Sequence, residues 1–98
     1  MEIMERAKAI PTTQIDNDRV RVIRWDFESG AETGWHKHEM DYIVVPLTSG
    51  SLTAEMPDGS QVINNLNAGE SYNRPEGVHH NIINSSDGPF SFIEIELK

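Results

Sequence analysis

The chain has 98 residues and a mass of 11.1 kDa, room for one hydrophobic core and no more. Its 16 acidic and 8 basic side chains leave a formal charge of −8, which repels phosphate backbones and anionic membrane surfaces, so neither nucleic acid nor a membrane is an expected partner. It has no cysteine, which excludes disulfides, thiolate metal sites and cysteine nucleophiles together.

Residues 1–10 read as a short helix or an arm, and Pro11 stops a helix there. The first residues lack a basic region followed by an apolar stretch, and no run approaches transmembrane length, so the expected compartment is the cytoplasm. From there the chain reads as strands and turns. Residues 19–27 (RVRVIRWDF) are rich in β-branched and aromatic side chains. Their apolar positions change parity between Val22 and Ile23, the sign of a bulge or of burial on both faces. Residues 41–47 (DYIVVPL) form a second apolar run, with Pro46 at an edge or bulge. Leu52, Ala54 and Met56 alternate with polar residues, as in a half-buried strand.

Asp58-Gly59 turns the chain, and residues 61–66 run back. Residues 70–74 and 78–84 are two more strands, separated by the corner Pro75-Glu76-Gly77. The last strand, residues 90–97, carries Phe90 and Phe92 and then Ile93, Ile95 and Leu97. About eight short strands bounded by Gly, Pro, Asn and Asp favour an antiparallel sandwich, jelly roll or barrel. The expected core and lining residues are Trp25, Phe27, Val45, Leu52, Met56, Ile82, Phe92 and Ile93.

All four histidines fall in two clusters, His36 with His38 and His79 with His80. Residues two apart in a strand share a face, so His36 and His38 can share one divalent ion. His80, from another strand, is the candidate third ligand. Imidazole nitrogen suits iron, zinc, nickel, manganese or copper, and three ligands with open positions is the layout of a catalytic centre. Alternation turns His79 to the other side, as a surface or dimer-contact residue, and turns Trp35 away from the metal. Glu39 falls on the far face, solvated. Gln61, Asn81 and Asn84 read as hydrogen-bonding residues of turns or of the barrel rim.

Gly69, Pro75, Gly77, His80 and Asn84 stand at the spacing of the second motif of the cupin superfamily. Five specified residues, at roughly 5% usage each, match by chance on the order of 10⁻⁶ to 10⁻⁷ per start. Gly30, His36, His38 and Gly50 match the first motif, so the resemblance covers roughly residues 20–97. It implies a single-domain cupin jelly roll, or double-stranded β-helix barrel, over residues 20–98, with residues 1–19 an N-terminal arm or edge segment. The motif's glutamate falls at Tyr42 or Ile43 here, and Asp41 stands one position early. The fourth ligand is therefore water, Asp41 through a bulge, or a Tyr42 phenolate, in that order.

The wording of residues 36–50, 68–72, 76–80 and 93–98 is similar to small single-domain cupins linked to β-alanine breakdown. That resemblance implies a homodimer. The chemistry of the histidine site points to a metal-dependent enzyme acting on a small carboxylate or oxo-acid, as an oxygenase, decarboxylase or isomerase. The alternative is a metal-anchored binding or sensing module without turnover. Beside the metal, Tyr42 and Tyr72 can exchange hydrogen bonds with a ligand, and Arg74 can clamp a carboxylate if it faces the mouth.

Overall fold

The computed structural model describes residues 5–98, and within them nine strands form two antiparallel sheets. The five-stranded sheet has the order β1-β2-β9-β4-β7: β1 Ile10–Asp16, β2 Val20–Phe27, β9 Phe90–Leu97, β4 Tyr42–Pro46 and β7 Tyr72–Arg74. The four-stranded sheet has the order β3-β8-β5-β6: β3 Glu32–Lys37, β8 His79–Asn84, β5 Gly50–Glu55 and β6 Gln61–Leu66. Consecutive strands repeatedly change sheets, as in a jelly roll. No helix of the described residues is long and apolar enough to cross a membrane.

The core lies between the sheets. Phe27, Tyr42, Val44, Leu52, Phe90 and Phe92 are its buried centre, with Trp25 and Ile82 packed against them. Three expected core residues lie elsewhere. Val45 and Ile93 are cross-strand partners on the outer face of the five-stranded sheet, and Met56 borders an open chamber. The reason for Ile93 is that β9 never changes parity: Phe90, Phe92, Glu94 and Glu96 are all buried, and the isoleucines between them face out.

β2 has no bulge either. Its register with β9 is unbroken from Val20↔Leu97 to Phe27↔Phe90, and the parity change reflects apolar residues on both faces. Burial on both faces, one of the two options in the sequence, is therefore what occurs.

Residues 10–16 pair with β2 as the sheet edge, with a register shift between Thr13 and Ile15. Residues 5–9 are not helical, and residues 1–4, part of the expected helix or arm, lie outside the described residues. Ala9 N donates to Glu32 O and Glu32 N donates to Ala7 O, so this stretch reaches across to β3 in the other sheet.

Two motif residues have structural explanations. A Cβ on Gly50 would collide with Ser86 and with the Phe90 ring, so the closing glycine of the first motif admits a close approach. Asn84 is buried and donates to Glu28 O and Gly88 O while accepting from Ser86 N, which ties the loops at one end of the barrel.

Candidate metal centre

His36 and His80 are direct register partners on β3 and β8, so their side chains leave the four-stranded sheet side by side, toward its partner. His38 follows β3 immediately. Its N–H donates to Val78 O and its carbonyl accepts from Gly77 N, so the corner ahead of β8 fixes it. Gly77 holds that corner at φ 93, a conformation an L side chain resists. The result is convergence. His36 Nε2 stands 3.0 Å from His38 Nε2, which stands 3.1 Å from His80 Nε2. The ligand nitrogens of all three lie within 4.8 Å of one another.

These nitrogens are prepared to donate electron pairs. His36 Nδ1 stands 2.9 Å from Gly34 O, an acceptor, so Nδ1 carries the proton and Nε2 is free. Burial holds all three imidazoles below the ordinary histidine range, His38 to about 4 and His80 to about 3. Unprotonated imidazoles crowded at one point fit a cation. Adjacent nitrogens on an octahedral ion stand about 3.0 Å apart and on a tetrahedral one about 3.4 Å, for metal–nitrogen bonds of about 2.1 Å. Two of the three separations, His36–His38 and His38–His80, are close to the octahedral value.

Beside the nitrogens lies a cavity of about 30 Å³, room for a water- or ion-sized guest. Trp25, Val44, Leu52, Ile82 and Phe92 make its walls apolar. A larger opening borders each side. One chamber, about 260 Å³, is bordered by Arg21, Lys37, Glu39, Glu94 and Glu96. The other, about 250 Å³, is bordered by Tyr42, Tyr72, Arg74 and His80.

The sequence-derived candidates separate here. Tyr42 is at the site, its ring stacked on His38 with centroids 3.8 Å apart. Burial, then Glu94 and Tyr72, push its hydroxyl well above the usual tyrosine range, which disfavours a phenolate ligand. Burial likewise raises Tyr72. Arg74 is exposed, with its guanidinium 4.8 Å from the centre of the Tyr72 ring, and it borders the second chamber.

Asp41 is not brought to the histidines. It is exposed, and its Oδ1 accepts a 2.8 Å hydrogen bond from Glu76 N. No bulge in β4 turns it inward, so alternation keeps it outside. His79 and Trp35 are exposed and meet edge to face, at a centroid distance of 5.7 Å.

The residue that sequence reasoning missed is Glu94. It enters from β9, in the sheet opposite His36 and His80, and its Oε1 lies 3.9 Å from His38 Nε2. Burial and then Glu96 raise its carboxyl to about 7, against the lowering effect of a hydrogen bond from Trp25 and of Arg21. The signal was available: Phe90, Phe92, Glu94 and Glu96 keep strict alternation, which the neighbouring isoleucines disguise.

Residues 23–96 match the cupin domain family. The chain is a cupin. The β-alanine degradation protein BauB of Pseudomonas aeruginosa is 50% identical to it over 93 residues, 95% of this chain and 97% of the relative. The crystal structure of a cupin domain from Bordetella pertussis is 59% identical, with a TM-score of 0.93 over 97% of this cupin and 98% of that chain. The polyketide cyclase RemF of Streptomyces resistomycificus shares the fold at 21% identity, with a TM-score of 0.69 over 98% of this chain and 71% of that one.

Proposed function

We propose that His36, His38 and His80 hold one divalent transition metal, and that this cupin is a metal-dependent enzyme acting on a small carboxylate or oxo-acid in β-alanine-type catabolism. The observation that carries the metal is the convergence of three imidazole nitrogens at 3.0 and 3.1 Å. The catabolic setting rests on the 50% identity to BauB. When bound, such an ion supplies a Lewis acid and, if it is iron, a site for dioxygen chemistry.

The rest falls to the chain. The apolar walls around the histidines exclude bulk water from the guest. Arg74, at the edge of the second chamber, orients a carboxylate by a bidentate contact. Tyr42 and Tyr72, whose phenols stay protonated, donate hydrogen bonds to a ligand oxygen. Those protonated phenols also favour the second reading, a metal-anchored binding module without turnover, because they leave no proton acceptor among Tyr42, Tyr72 and Arg74.

Protein loaded separately with iron(II), zinc, nickel, manganese or copper is to be incubated with a panel of short carboxylic and oxo-acids. Substrate loss or dioxygen uptake that H80A abolishes supports the enzyme. Saturable binding of an acid without any turnover across all five metals supports the module instead.

The cupin is also proposed to be a homodimer. β1 is an edge strand exposed along its whole length, with Ile10 and Ile15 64% and 49% accessible. Such edges are normally covered. A sedimentation mass of twice 11.1 kDa is expected, and a mass equal to it counts against the dimer.

A further inference from the structure

Glu94 and Glu96 are neighbours on one face of β9, and the structure treats them differently. Glu96 has its own cation: Arg21 Nη2 and Nε donate to Oε2 and Oε1 at 3.0 and 3.3 Å. Glu94, with 6% of its surface accessible, has no lysine or arginine within ion-pairing distance among the described residues. A buried carboxylate without a cation is costly even with one hydrogen bond from Trp25, so this one points to a positive partner at that spot. The Trp25 indole donates to it, and its Oε1 also stands 3.9 Å from His38 Nε2, the nitrogen that faces His36 and His80.

His36 and His80 approach from the four-stranded sheet, whereas Glu94 approaches from the five-stranded sheet, and all three line the central cavity. An ion held by three imidazoles on one side would have its open positions toward the other sheet. We propose that Glu94 is the carboxylate of the metal centre, facing those open positions. Its charge stabilises the bound cation. It also selects the ligand, accepting a hydrogen bond from a neutral O–H or N–H group, such as water, an alcohol or an amine, and repelling an anion. The carboxylate end of a substrate is thereby directed to the Arg74 chamber. This inference rests on the three-histidine metal site.

Metal-stripped, untagged wild type, E94Q, E94D and H80A are to be titrated with cobalt(II) by calorimetry and visible absorption, and the cobalt-loaded proteins then with azide. Circular dichroism checks each fold. E94Q is expected to bind cobalt about 10-fold more weakly, the scale of losing a carboxylate next to metal-ligating histidine. Its loaded form is expected to bind azide several-fold more tightly than wild type, and E94D to restore both values in part. Opposite changes identify a charge acting at the open positions. Equal affinities for E94Q and wild type, with cobalt lost only in H80A, overturn the role of Glu94 and leave the histidine site standing. Weakening of cobalt and azide together also overturns it, as a loss of shape. Wild type that binds no cobalt overturns both the inference and the metal site.

Discussion

His80 and Asn81 are adjacent on β8, point to opposite faces of the same sheet and are both buried, at 8% and 1% accessible. Their surroundings differ in kind. Asn81 completes a network: its amide donates to Glu32 at 2.8 Å and Glu55 at 2.9 Å, and its oxygen accepts from Gly34 N at 3.0 Å. The two carboxylates also receive Arg6, and Glu32 receives Lys8 as well. Every charge there has a partner in the chain. His80 faces two imidazoles across nitrogens with a lone pair to give, beside a carboxylate with no cation. A satisfied polar cluster fastens a fold, whereas unprotonated imidazoles that converge beside a carboxylate with no paired cation form a candidate cation site.

The sharpest way to break that contrast is to exchange the fates of the two neighbours. H80A is expected to drop bound metal from about one per chain to near zero, read by elemental analysis. N81A is expected to keep the metal and lose about 2–3 kcal/mol of stability, because two carboxylates lose a buried donor. A chain that loses metal equally in both variants contradicts the separation.

Acid tests the same contrast in the metal-free protein. His38 and His80 titrate at about 4 and about 3 in the fold, against 6.5 for an ordinary histidine. The unfolded chain therefore binds more protons below pH 6.5, and stability present above that value is lost as the pH falls toward 4. Glu94 acts in the opposite direction. Raised from 4.5 to about 7, it binds its proton first in the fold, and so adds stability as pH falls from 7 to 4.5. Melting temperature is expected to fall below pH 6.5 in wild type and to fall more steeply in E94Q.

The smallest effect belongs to the network's rim. Arg6 has 44% of its side chain accessible, so its ion pairs are screened, and R6A is expected to cost about 0–1 kcal/mol. Urea titration reads it, and bound metal is expected to be unchanged.

Most of the fold was legible because turn chemistry and period-two patterning are local. The turns at Asp58-Gly59 and Pro75-Glu76-Gly77, and the strands between them, follow from adjacent residues alone. The histidine triad was legible for the same reason: two of its imidazoles come from one strand and its immediate end, and the third lies within a spaced motif. Glu94 was hidden because its meaning depends on the opposite sheet. In sequence it is a glutamate between two isoleucines, and only the unbroken register of β9 with β2 and β4 turns it inward. β1 reads in sequence only as an arm or edge because Pro11 interrupts it, and the structure leaves its residues exposed along the whole strand.

The most direct measurement is the transition-metal content of untagged wild-type protein by plasma mass spectrometry, as purified and after incubation with iron(II), zinc, nickel, manganese and copper. A histidine tag would carry its own metal. The account predicts close to one ion per chain, held through dialysis. Protein that is metal-free as isolated and retains none of the five contradicts it.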